Sequence, residues 1–204
     1  MKNAERDISI DVIKTVAMFL IIQSHVAYHS GLVSNSFELN NVLSSLFSYC
    51  GQIGNVLFIF ASAYYISDKF KVEKILKLIF TTVFYSYLYL GVLFCLGYRF
   101  SMNLVLKSLF PVTFASNWFV TAYLIFLLFV PYLSKIMLCV QKKEHFYIVC
   151  VWFLLYSVIP TCVGKKYCYS DIFGFVLIYF VVKYYLKYVK NSGGGQITNI
   201  VCLN

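Results

Sequence analysis

The charged residues of this chain are spaced so widely that they dictate its solvent. Between them lie six neutral stretches, at 15–37, 39–67, 78–98, 108–134, 145–164 and 172–182. A helix needs roughly 20 mostly apolar residues to cross the hydrocarbon of a bilayer, so the first five are long enough. The sixth is shorter, but Lys183 and Lys187 near its end can return their ammonium groups to the interface on flexible stems. The runs are apolar all round rather than alternating, which argues against barrel strands. Only 12% of the residues are charged and 61% are hydrophobic, whereas soluble domains carry about 25% charged residues. That excludes a soluble enzyme and a disordered chain. The expected fold is all-α, a polytopic bundle of about six transmembrane helices. The first stretch is too long for the apolar core of a signal peptide and no cleavage pattern follows it, so it is expected to stay in the chain.

The net charge of +9 raises the question of a nucleic-acid partner. Position answers it. With the N-terminus in the cytoplasm, 13 of the 17 Lys and Arg residues fall in inside segments; only Arg99, Lys107, Lys165 and Lys166 fall outside. This is the bias of the positive-inside rule, so the charge reads as topology and no nucleic-acid partner is expected.

The seven cysteines form no CxxC pair and no Cys/His spacing of a metal site, so no metal is expected. Cys162 and Cys168 flank the last outside loop, the one place where the sequence allows a disulfide. A polar outside loop is expected over 29–41, and a second outside connection over 97–117, where Leu104, Val105, Leu109 and Phe110 suit a short interfacial or re-entrant piece before Pro111. Gly51, Gly54, Ala61, Ser62 and Ala63 place small side chains in the second helix, the usual device for close helix packing in a membrane. The membrane domain is expected over 1–190, and a flexible polar tail over 191–204.

The first helix carries the most informative groups. Lys14 and His25 are eleven residues apart; at about 100° per residue that is three turns plus roughly 20°, so they share a face about 16 Å apart along the axis. Asp11 lies three residues before Lys14 and Asp7 four before Asp11, and His29 follows His25 by four, extending the stripe at both ends. Ionisable groups inside a membrane are costly and normally face a bundle interior or an aqueous path. The bland alternatives are a Lys14 that only snorkels and a His25 that only bonds a neighbouring helix. Neutral histidine can take a proton from a hydroxyl and return it to a leaving group, which suits acyl transfer. A cation on the same face can stabilise negative charge on a thioester donor or its phosphates. The spacing alone fits proton-coupled transport equally well.

The segment Asp11-Val12-Ile13-Lys14, with His25 after ten intervening residues, resembles the opening of the acyltransferase 3 family of integral membrane acyltransferases. In that family the basic residue is more often arginine. Phe58-Ile59-Phe60-Ala61-Ser62-Ala63-Tyr64 resembles its F-F-x-x-S-G-Y/F element, with Ala63 at the usual glycine. Asn117-Trp118-Phe119-Val120-Thr121-Ala122-Tyr123 is similar to a W-F start of a later helix, and Lys74-Ile75-Leu76-Lys77 stands where the family often has paired arginines. Together these cover roughly residues 6–190.

The resemblance implies transfer of an acyl group, most often acetyl, from a cytoplasmic acyl-CoA to a hydroxyl of a surface polysaccharide or lipid-linked glycan, with no permanently bound cofactor. It implies His25 and Lys14 as catalytic residues, Lys74 and Lys77 as contacts for donor phosphates, and Asp11 and Trp118 as substrate contacts. Trp118 has an alternative as an interfacial anchor. A bacterial plasma membrane is the expected location, with the lipid bilayer as solvent and a homo-oligomer as one way to close the groove. Family members usually have about ten helices and this chain about six. An incomplete, inactive member is therefore one alternative, and a transporter using the Lys14–His25 stripe is another.

Overall fold

The computed structural model describes residues 7–29, 39–67, 71–164 and 171–190. Most of the expected loop over 29–41, the tail over 191–204 and Cys168 lie outside them. Among the described residues there are helices and no strands. In chain order they are α1 (Ile8–His29), α2 (Leu39–Tyr65), α3 (Val72–Cys95), the short α4 (Met102–Leu109) and α5 (Trp118–Cys139). Then come α6 (Lys142–Phe153), a π-helical turn (Leu154–Val158), α7 (Ile159–Val163), and α8 (Asp171–Tyr184) with a second π-helical turn (Tyr185–Val189). Six of these segments are long and apolar enough to cross a membrane, α6 through α7 counting as one. The 22 residues of α1 make a rod about 33 Å long at 1.5 Å per residue, enough for a hydrocarbon core of about 30 Å.

Two boundaries differ from the charge map. Helix α1 starts at Ile8, ahead of the neutral stretch, and so carries Asp11 and Lys14 within its first two turns. Asp11 lies near the N-terminal end, where the helix dipole favours a carboxylate. The last span reaches Val189. It includes Lys183 and Lys187, whose ammonium groups sit 5.4 Å and 5.0 Å from the ring centres of Tyr179 and Tyr188. Neighbouring aromatics thus accept the cations on the helix itself.

Local chemistry explains the breaks. After α3, Gly97 takes φ +72, and its N–H bonds Phe94 O while that of Tyr98 bonds Leu93 O, both at 3.0 Å. This is a Schellman ending, for which glycine avoids the Cβ clash. The Ser101 hydroxyl accepts from Leu104 N–H to start α4, which stops before Pro111 as the sequence suggests. Asn117 Oδ1 accepts from Val120 N–H to start α5. Pro160 has no N–H to offer the carbonyl four residues back, and the π-helical turn lies immediately ahead of it.

The chain forms two compact units. The first comprises Met1–Ile66, Lys142–Phe153 and Leu177–Asn204; the second comprises Ser67–Gln141 and Leu154–Val176. In the second, α4 is tied to α3 by Ser86 Oγ donating to Ser108 O at 2.9 Å and Tyr87 O–H donating to Leu109 O. Its core stacks Phe119 and Phe126 of α5 on Phe175, at ring separations of 5.5 Å and 6.1 Å. Gly174 lies directly under the Tyr156 hydroxyl, so any side chain there would collide with the phenol.

Candidate functional site

In the first unit α1 and α2 pack antiparallel through small residues. A Cβ on Gly51 would lie 2.2 Å from Ser24 Oγ, and one on Gly54 2.8 Å from the Ala17 carbonyl and from Ile21 Cγ1. Ala61 and Ala63 are fully buried, and Ser62 nearly so. These five positions therefore pack, as small side chains in a membrane helix do.

The buried line of α1 runs Ile10, Ala17, Ser24, residues seven apart. At about 100° per residue, Lys14 and His25 lie about 60° and 80° round from the middle of that line. The ionisable stripe flanks the α1–α2 seam instead of entering it. Lys14 and Asp11 are half-buried, and His25 is exposed. Ala17, Ser24 and Ala27 fill the seam and leave His25 on its rim, uncovered by the neighbouring helix. Its ring stacks parallel on His29 at 5.9 Å, and Tyr28 meets His29 edge-on.

At the opposite end of α1, Tyr65 clamps the chain. Its hydroxyl accepts from Asp7 N–H at 2.8 Å and donates to Asp7 O at 3.0 Å. The Lys14 ammonium lies 5.2 Å from the centre of the same ring. The next ring, Tyr64, stands edge-on to Tyr65 at 5.3 Å. Lys190 donates a short hydrogen bond to the Tyr64 hydroxyl, with its ammonium 4.9 Å from the Tyr64 ring centre. That bond holds the Lys190 ammonium above the ordinary lysine range; the charges of Asp7 and Tyr185 add to it, and partial desolvation opposes it. By charge alone Lys190 is one of the 13 inside cations. The Tyr64–Tyr65 doublet at the end of the small-residue run was its one visible signal.

The third histidine belongs to no motif. His145, in α6, is fully buried. Its Nε2 lies 3.0 Å from the Phe180 carbonyl, which can only accept, so that nitrogen carries the proton. Nδ1 is buried with no hydrogen-bond partner among the described residues. The rings of Phe180, Tyr184 and Tyr188 enclose the imidazole at 5.1 to 5.9 Å.

The remaining expected residues belong to the second unit. Lys74 and Lys77 are exposed on the first turns of α3. Trp118 opens α5, 46% exposed and edge-on to Phe119. The structure thus gathers Asp11, Lys14 and His25 on one helix of one unit, and holds Lys74, Lys77 and Trp118 on the other. Among the described residues no group of three or more His, Cys, Asp or Glu side chains is arranged to hold a metal.

Six apolar spans and an ionisable stripe along the first define a multi-pass helical membrane protein with chemistry available on α1. The chain belongs to the acyltransferase 3 family, whose model, an acyltransferase domain, matches residues 7–196. Membership makes it a membrane acyltransferase and bears out the resemblance drawn from the sequence. No curated protein and no solved structure matches it.

Proposed function

We propose that the chain moves an acetyl group from a cytoplasmic acyl-CoA to a hydroxyl of a surface polysaccharide or lipid-linked glycan, in a bacterial plasma membrane. One observation carries this reading: Lys14 and His25 share a face of a membrane-spanning helix, beside its packing seam. Neutral His25 accepts the proton of the acceptor hydroxyl as the oxygen attacks the thioester carbonyl. The tetrahedral intermediate then expels the thiolate, which takes that proton from the imidazolium. One C–O bond forms, one C–S bond breaks, and His25 returns to its starting form.

The separation along α1 decides what Lys14 does. At about 16 Å and an effective dielectric near 20, a unit charge contributes only about 1 kcal/mol at the reacting carbonyl. A direct oxyanion donor supplies about 3–4 kcal/mol. Lys14 therefore serves the donor's phosphates, with the thioester arm running along α1 toward His25. Asp11 orients Lys14 and the donor from the same face. Within the second unit, Lys74 and Lys77 are phosphate contacts in their own right and Trp118 is an aromatic face for a sugar.

The test is acetylation of the surface glycan in cells whose own copy is deleted and replaced by variants. His25→Ala is expected to abolish acetylation with the protein still present in the membrane; normal acetylation would sink the assignment. Unchanged glycan accompanied by altered solute uptake on deletion would favour the transport reading instead.

A further inference from the structure

In the first unit two lysines share one ring, where α6 begins and the last span ends. The Lys142 ammonium lies 6.0 Å and the Lys187 ammonium 5.0 Å from the centre of Tyr188, so the two are at most about 11 Å apart. Lysines at a membrane interface ordinarily extend separately into water. The ring holds both cations without neutralising either, because an aromatic quadrupole carries no net charge. The positive-inside rule asks for cations at this end of the helices, and not for two of them on one ring.

The carboxylates of the unit do not cancel this charge. Asp7 and Asp11 are balanced in number by Lys14 and Lys190. On α6 and the end of the last span there remain Lys142, Lys143, Lys183 and Lys187 against Glu144, a net charge of three. Glu144 lies about 200° round α6 from Lys142, on the other side of the helix. Asp171 opens α8 and belongs to the second unit.

Beside the cations the surface is apolar and open. Phe146 is 52% exposed and Tyr147 66%, one turn into α6, and the Phe146 ring lies 6.1 Å from that of Tyr184. Tyr185 and Val189 are exposed on the last turn of the chain's final span. One span begins at Lys142 and another ends at Val189. The ammonium groups therefore stand at the water side of the interface, with exposed rings toward the hydrocarbon. An anionic phospholipid divides the same way, a phosphodiester above its acyl chains. A soluble anion would leave Phe146 and Tyr147 uncovered.

We propose that Lys142 and Lys187, gathered on Tyr188, bind the phosphate of an anionic phospholipid whose chains lie on Phe146 and Tyr147. The site is separate from the acyl-transfer residues and does not depend on that reaction.

The purified full chain tests it, in nanodiscs of phosphatidylcholine with a minor share of phosphatidylglycerol. Lipid retained after transfer into detergent is counted by native mass spectrometry. Lys142→Ala and Lys187→Ala are each expected to lower retained phosphatidylglycerol about 5-fold, the loss of one interfacial cation, with phosphatidylcholine unchanged. Lys187→Arg is expected to stay within about two-fold of the parent, since it keeps the charge. Lys143→Ala removes an equal charge from the same helix end and is expected to leave retention near that of the parent. Equal losses from Lys142→Ala, Lys187→Ala and Lys143→Ala would show a diffuse positive surface and overturn the site. Unchanged retention in Lys142→Ala and Lys187→Ala would overturn it too, as would a matching fall in phosphatidylcholine, which would mean that the lysines act through the fold. If inorganic phosphate displaces phosphatidylglycerol from the parent chain, the anion is a soluble one and the lipid assignment falls.

Discussion

Two of the three histidines of the first unit, His25 and His145, occupy opposite settings. His25 sits on the rim of a helix pair joined by glycine, alanine and serine, exposed and stacked on His29. His145 sits between α6 and α8, sealed among Phe180, Tyr184 and Tyr188 with its Nε2–H given to a backbone carbonyl. Small residues bring helices together and leave polar groups beside the seam. Large aromatics hold helices apart and can swallow a polar group whole. A histidine on the first kind of seam stays available for chemistry, whereas one in the second kind is spent on structure.

The sharpest way to break this contrast is to remove each ring in turn. His25→Ala is expected to cut acetyl transfer by at least about 100-fold, the contribution of a positioned base, with the thermal unfolding midpoint unchanged. His145→Ala is expected to lose about 2–4 kcal/mol of stability, from a cavity and an orphaned Phe180 carbonyl. Its activity per folded molecule should stay near that of the parent. If the midpoint moved for His25→Ala and not for His145→Ala, the comparison would be inverted.

The seam offers a finer cut. Gly54→Ala drives a Cβ to 2.8 Å from the Ala17 backbone oxygen, which has no rotamer to escape into. An overpacking cost of about 1–3 kcal/mol follows. Gly51→Ala meets Ser24 Oγ at 2.2 Å and Ser24 Cβ at 2.8 Å; the hydroxyl can rotate away, but the Cβ is fixed to the backbone. A loss of similar size is expected in the same denaturation measurement, and no loss in either variant would show that the seam yields as a whole.

The smallest effect concerns pH. Lys190 is raised by its bond to Tyr64, so its stabilising contribution is complete below the ordinary lysine range and is lost as pH rises through the raised value. Stability curves of the parent and Lys190→Ala are expected to differ at neutral pH and converge in strongly alkaline buffer. A constant gap would count against the bond.

Much of the fold was legible because one quantity, the spacing of charges in an apolar chain, sets the spans. Helix α4 ahead of Pro111 was equally plain. The early start of α1 and the reach of the last span were hidden because Lys14, Lys183 and Lys187 find aromatic partners that a charge count does not see. The shared face of Lys14 and His25 followed from helical periodicity. Which way that face points did not, because it depends on where Gly51 and Gly54 let the second helix approach. His145 carried no motif at all; its role is set by residues about 35 positions later.

Tyr65 also has a mechanical role. The α1–α2 hairpin is already joined through the chain between His29 and Leu39. At its other end the Tyr65 hydroxyl bonds both the N–H and the carbonyl of Asp7. Sliding α2 along α1 would have to break both of these bonds together, so the pair resists slippage most at the end away from His25.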